Sequence, residues 1–575
     1  MKTSWGENLD KENLLTEYPR PQMRRDSYIN LNGVWEYAIT ETEDLPQRFD
    51  GEILVPFSPE CELSGVRRSL LPAQTLWYQR TLRLPAGFNI GRVLLHFGAV
   101  DQVATVFVNG AEVCSHTGGY TPFYADITDC LKEENILLVR VRDYSDTSYF
   151  ARGKQKSRRG GIWYTAQSGI WQTVWLESVP TEYISALRIT PLFDEAVVEL
   201  TVLSQADQIC RARVGETEVT FASNEPVKLQ VPEFIPWTPE HPYLYDLSVT
   251  MGKDCVQSYF GMRKFSVGID EHGAKRLFLN NRPYFHNGLL DQGYYSDGMY
   301  TAPSDEAMIF DIQTAKAMGF NMLRKHIKIE PPRWYYHCDR LGLLVWQDMV
   351  SGGGSYRLTT ISSPLVTGIH FNDRHYGRFA RGDAQGREQY YSELSEMVNH
   401  LYNTVSLAMW VPFNEGWGQF DAKKAVQFIL NMDTTRTIDH ASGWHDQGIG
   451  ELQSLHVYFK RYRFRPDKRG RAVILSEFGG YNCRIQGHSF SDKDFGYKRF
   501  DTPEALLGAL KNLYENEIFP AKQKGLCAAV YTQLADVEDE LNGLITYDRK
   551  VVKLPPQKVQ EVLGQVSNSL NTRAE

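Results

Sequence analysis

Two stretches decide how this chain folds: Ala408-Met409-Trp410-Val411-Pro412-Phe413-Asn414-Glu415 and Ala472-Val473-Ile474-Leu475-Ser476-Glu477. Each is a short apolar run that ends on a carboxylate. Six more short apolar runs lie beyond residue 268: Tyr284–Leu289, Met322–His326, Leu343–Asp348, Thr437–Ser442, Ser454–Tyr458 and Cys527–Gln533. Helical patterns separate most of them. In Ser304 to Gly319, Ser304 can cap the N-terminus, Asp305 and Glu306 sit at the positive end of the helix dipole, and Met308, Ile312 and Ala315 recur at helical spacing. Eight strand–helix units in about 300 residues predict a (β/α)8 TIM barrel over 268–575. A doubly wound open sheet is the alternative, but no glycine-rich phosphate loop opens the region.

Upstream the pattern changes to short alternating runs broken by Gly, Asn and Pro, the mark of all-β structure. Val106 and Val108 alternate around Phe107, and Asn109-Gly110 follows, which favours a tight hairpin because both residues tolerate positive φ. Two β modules are predicted: a jelly roll over 1–180 and an immunoglobulin-like β-sandwich over 181–267. The 575 residues carry a net charge of −8, too mild and of the wrong sign for nucleic-acid binding. Lys154, Lys156, Arg158 and Arg159 form a short basic run, read as a solvated loop. The eight cysteines show no CxxC and no zinc-ligand spacing. The N-terminal stretch has no apolar signal region, and no run approaches the ~20 apolar residues of a membrane span. Reduced thiols and no leader point to the cytoplasm.

In a TIM barrel, the residues at the C-terminal strand ends form the active site. The strand ends here carry Arg324 and His326 on the second, Asn414 and Glu415 on the fourth, Tyr458 on the sixth and Glu477 on the seventh. An apolar strand that delivers a carboxylate holds it rigidly in a partly dry place, and burial raises a carboxyl pKa unless a cation is near. Glycoside cleavage needs one carboxyl of each kind, a protonated acid and an ionised partner. Arg324 is placed to keep one glutamate ionised while the other stays protonated. The structural alternatives are a strand-end Glu bonded to a helix or loop, a satisfied His326, and a Tyr458 that only caps the barrel.

The chain resembles glycoside hydrolase family 2. Leu31-Asn32-Gly33-Val34-Trp35, Trp77-Tyr78-Gln79-Arg80 and Val106-Phe107-Val108-Asn109-Gly110 look like its N-terminal sugar-binding-type domain. Phe260-Gly261-Met262-Arg263 looks like the junction into its barrel, Asn403-Thr404-Val405-Ser406 through Asn414-Glu415 like its acid/base motif, and Ser476-Glu477-Phe478-Gly479 like its nucleophile motif. The resemblance implies a retaining exo-β-glycosidase, with Glu415 as acid/base, Glu477 as nucleophile, and the two carboxyl groups about 5–5.5 Å apart. It further implies that Asn414 and His326 contact sugar hydroxyls, and that Arg324 and Tyr458 hydrogen-bond the nucleophile. Trp417 and Trp444 are candidate sugar platforms or core residues. Asp291 is a candidate hydroxyl contact or a plain turn residue.

Several departures bear on the sugar. The family's β-glucuronidases carry Asn-x-Lys late in the barrel, whereas Asn542 is followed two residues on by Leu544; Lys550 or a loop arginine is the available substitute. The stretch Gln347 to Gly354 lacks the magnesium ligands of large β-galactosidases, so no catalytic metal and no cofactor is expected. Tyr531 stands where the family usually has the Trp that floors the sugar site. By elimination the expected substrate is a β-galactoside, with a uronide or arabinoside as alternatives within the class and a non-catalytic carbohydrate-binding protein as the alternative outside it. The insertion Gly352–Arg387 is expected to shape the rim, and self-association is expected only by analogy.

Overall fold

A computed structural model describes residues 1–567. The first β module is a sandwich of antiparallel sheets, one of four strands and one of six. The Asn109-Gly110 turn joins Val103–Val108 to Ala111–Thr117, with φ of +54° and +84°, as the sequence predicts. Trp35, Tyr78, Leu95, Val106, Val139 and Leu176 fill the space between the sheets. A second sandwich follows, with three strands facing four around Leu200, Ala212, Val249 and Phe260.

Eight parallel strands then form the barrel. Strands one to four are His286–Asp291, Met322–Lys325, Leu344–Asp348 and Leu407–Val411. Strands five to eight are Thr437–Ile438, Leu452–Val457, Ala472–Gly479 and Leu526–Thr532. Neighbours pair in the order five-four-three-two-one-eight-seven-six, which leaves one seam between five and six. Side chains alternate across the wall: Leu290, Met322, Trp346 and Val530 face inward, while Leu289, Leu323, Val345 and Tyr531 pack against the helices. The helix Asp305–Ala317 is capped by Ser304, whose Oγ accepts from the Ala307 N–H at 3.3 Å.

Strand four is shorter than the sequence suggests. Its ladder stops at Val411 because Pro412 has no N–H to donate. Glu415 sits four residues beyond, in a turn with φ +50°, and its N–H bonds to the Ser442 carbonyl at 2.9 Å. The catalytic candidate is therefore anchored to the end of strand five as well as strand four.

The modules are joined by specific contacts. Trp237 of the second sandwich is fully buried, and its indole N–H donates to the Asp339 carbonyl on the helix Pro332–Leu341 at 2.8 Å. Asp339 in turn accepts from the Tyr259 hydroxyl at 2.9 Å and the Ser406 N–H at 2.7 Å. The segment Phe150–Thr165 leaves the first sandwich and reaches the barrel mouth. Arg152 and Gly153 donate to the Ser351 carbonyl, Thr165 N–H meets Glu538 at 3.1 Å, and Arg159 meets Asp539 at 2.8 Å. Trp237→Ala should cost about 3–5 kcal/mol through a cavity and a lost hydrogen bond; urea unfolding followed by fluorescence should show the barrel transition at lower denaturant.

Candidate active site

Arg324 lies at the centre of the barrel mouth, wholly buried. Its guanidinium donates through Nε to Asp348 Oδ1 (2.9 Å) and through Nη2 to Asp348 Oδ2 (3.0 Å) and Asn414 Oδ1 (2.9 Å). Nη1 serves the Ser476 carbonyl and Glu477 Oε1, both at 3.1 Å. Burial disfavours its charge, but Asp348 and Glu477 outweigh burial and hold the guanidinium firmly protonated. The other oxygen of Glu477 accepts from the Tyr458 hydroxyl, which also lies 3.0 Å from Thr532 Oγ1. Tyr458 stacks on Tyr497 at 3.8 Å between ring centres. Burial and the Glu477 charge push the Tyr458 phenol well above its ordinary range, so it stays a donor.

Glu415 has different company. His456 Nδ1 lies 2.7 Å from its Oε1, and the Trp417 indole N–H donates to its Oε2 at 3.2 Å. The imidazole is fully buried, and its Nδ1 also lies 3.5 Å from Glu477 Oε2. Its far nitrogen is 3.1 Å from Ser442 Oγ. Gly443, at φ +81°, makes room for the ring: a Cβ there would lie 2.3 Å from the imidazole Cγ. One atom from each of Glu415, His456 and Glu477 falls within 4.8 Å of the others. Within that cluster His456 is hydrogen-bonded to Glu415.

The sequence predicts that burial keeps one glutamate protonated. Burial does push the Glu415 carboxyl up. The hydrogen bond and charge of His456, the Lys154 charge and the Trp417 N–H pull harder, and the result is a carboxyl below its ordinary value. Lys154 is the second surprise. Its basic run is a solvated loop only in part: Ser157 and Arg158 are exposed, but Lys154 is half-buried. Its charge also depresses His326 and Asp348, although for both the larger effect is burial.

His326 bonds to Asp348 Oδ2 through Nδ1 at 2.7 Å, and its buried Nε2 has no partner among the described residues. Trp444 lies 6.4 Å from His456, ring centre to ring centre. The insertion Gly352–Arg387 reaches the same place: Tyr356 meets Trp417 edge-on at 5.1 Å, as does Trp163 of the first sandwich at 5.0 Å. Two candidates stand elsewhere. Asp291 is spent on Lys325 Nζ (2.6 Å) and the Gly293 N–H (2.9 Å), which fits the turn reading. Tyr531 packs behind strand seven, edge-on to Phe478 and remote from the glutamates. Lys550 is paired with Glu7 on the surface, and Asn542 is buried against Gln533 and Glu540.

His456, Asp348 and Lys154 were not singled out as site residues by the sequence. His456 had a signal, since it lies two residues before Tyr458 and shares its face of the strand. Asp348 had one too, as a strand-end carboxylate. Lys154 had none.

The comparisons with known proteins agree with this architecture. Residues 66–180 match the sugar binding domain of glycosyl hydrolases family 2, residues 183–263 match glycosyl hydrolases family 2, and residues 273–470 match its TIM barrel domain. A putative beta-glucuronidase of Formosa agariphila is 27% identical over 425 residues, covering 67% of this chain and 46% of that protein. A beta-galactosidase of Thermoanaerobacter pseudethanolicus is 25% identical over 393 residues, covering 63% and 47%. The chain thus spans about half the length of these two relatives. Among solved structures, the Ruminococcus gnavus beta-glucuronidase superposes with a TM-score of 0.74 at 16% identity over 95% of this chain and 99% of that one. A beta-galacturonidase of Eisenbergiella tayi bound to galacturonate gives 0.70 at 19% identity over 96% and 99%. At those identities the superpositions speak for the fold. Three successive segments match models of the same family in the order of its domains, and the chain belongs to glycosyl hydrolases family 2.

Proposed function

We propose that this protein is a retaining exo-β-glycosidase in which Glu477 is the nucleophile and Glu415 the acid/base. One observation carries the reading: two carboxylates with opposite company stand within 4.8 Å of each other and of one imidazole. That closeness of carboxylate oxygens suits direct attack by a carboxylate, as in a retaining enzyme. Glu477 receives two donors from Arg324 and Tyr458, which suits an anion aimed at an anomeric carbon. Glu415 has a proton-sharing partner in His456, which suits a group that gives and regains a proton. Asn414 and His326 would take sugar hydroxyls; in support, Asn414 shares Arg324 with Glu477, and the buried Nε2 of His326 has no partner among the described residues. The first-sandwich segment and the insertion wall the mouth, in keeping with attack on a terminal sugar.

For the sugar, elimination at the sequence level favours a neutral β-galactoside. Lys154 favours a second reading, a β-uronide. A half-buried ammonium with no carboxylate partner among the described residues, close enough to influence both Glu415 and His326, is suited to a substrate carboxylate.

Hydrolysis of a panel of nitrophenyl glycosides tests both levels. Glu415→Ala should lose about 10²–10⁴-fold on substrates with poor leaving groups. With azide it should yield a β-glycosyl azide, whereas Glu477→Ala should yield the α-anomer; the reverse pattern would exchange the two roles. No turnover on any sugar would leave a carbohydrate-binding protein. If the active substrate is a uronide, Lys154→Met should raise its KM about 10–100-fold, the worth of a charge-assisted hydrogen bond. A KM unchanged by Lys154→Met, or turnover confined to galactosides, would remove the uronide reading.

A further inference from the structure

Among the described residues, His456 is the one buried ring with a polar atom within 3.5 Å of both glutamates. Its Nδ1 lies 2.7 Å from Glu415 and 3.5 Å from Glu477, its far nitrogen lies 3.1 Å from Ser442 Oγ, and Gly443 has no side chain so that the ring fits. Ser442 continues to Ser476 at 3.0 Å, and Ser476 to Ser454 at 2.6 Å, so the ring stands on a short chain of buried hydroxyls. The groups that face it come from every side. They are Glu415 after strand four, Glu477 on strand seven and Tyr458 beyond its own strand, with the charges of Asp348, Asp439 and His326 behind.

We propose that His456 is a positioning residue for the proton step: it fixes Glu415 and shares with it the single proton that the leaving group receives. The proposal rests on Glu415 being the acid/base. In glycosylation the bond from the anomeric carbon to the leaving oxygen breaks. Glu477 bonds to that carbon, and a proton passes from Glu415 to the oxygen. Glu477 becomes a neutral ester as Glu415 becomes a carboxylate. The negative charge beside the ring therefore moves from one neighbour to the other, and Nδ1 faces both. Water then reverses the exchange: it gives a proton to Glu415, its oxygen bonds to the anomeric carbon, and the ester is released as the Glu477 carboxylate. The depressed free-state carboxyl of Glu415 fits this picture, because the hydrogen bond and charge of His456 are the largest influences that lower it.

The test compares kcat/KM of wild type, His456→Asn, Ser442→Ala and Glu415→Gln on glycosides of the active sugar, from dinitrophenyl to a simple alkyl leaving group. Dinitrophenolate departs without protonation; an alkoxide does not. His456→Asn should lose about 10–100-fold on the alkyl glycoside and change by less than about threefold on the dinitrophenyl one. The hydrogen bond and charge of His456 lower the Glu415 carboxyl, so removing the ring lets it rise, and the alkaline limb of the alkyl-glycoside profile should move to higher pH in His456→Asn. Ser442→Ala, which removes a hydroxyl bonded to neither glutamate and keeps the carbonyl that accepts from the Glu415 N–H, should move it the same way by less. Equal losses on both substrates with an unmoved limb would make His456 structural and overturn the proposal. If Glu415→Gln depends on the leaving group but His456→Asn does not, His456 alone loses its role. If Glu415→Gln shows no such dependence, the acid assignment itself falls, and the proposal with it.

Discussion

The site depends on one buried cation. The Arg324 guanidinium reaches Asp348 on strand three, Asn414 after strand four, and the carbonyl of Ser476 and carboxylate of Glu477 on strand seven. Four barrel strands, its own included, meet in that one planar group. A fully desolvated guanidinium is costly unless its donors are matched, and Nε, Nη1 and Nη2 all find acceptors here. The geometry of the fork fixes where Glu477 and Asn414 stand, so two neighbouring groups at the mouth are set by the same residue.

Glu415 is held by a different logic. Pro412 ends the strand, a left-handed turn swings the carboxylate past the rim, and His456 catches it from across the seam between strands five and six. The two acids thus differ in what they touch although both follow apolar runs of similar look. Strand ends are where sequence reading works well, because period-two alternation and the barrel rule together place the last residues of each strand at the mouth. That is why Arg324, Asn414, Tyr458 and Glu477 were legible, and why the eight strands were found within a few residues of their ends.

The failures are equally physical. Tyr531 lies one residue out of phase with the inward-facing Val530, and a single step along a strand changes the side of the wall. Asp291 is a strand-end acid, but Lys325 is its next-door neighbour on strand two and consumes it. Neither fact is visible without the register between strands. Lys154 is further from reach, since its place depends on how the first sandwich docks on the barrel, and local pattern carries nothing about docking.

The segment Phe150–Thr165 has a consequence for how such a protein can change over generations. The glutamates and their arginine belong to the barrel, while an ammonium and an indole at the same mouth come from the first sandwich. If Lys154 meets the substrate as proposed, part of the choice of substrate is written in a stretch of the gene well before the one that carries the glutamates. Drift in that segment can then reshape the mouth while Arg324, Glu415 and Glu477 are inherited intact.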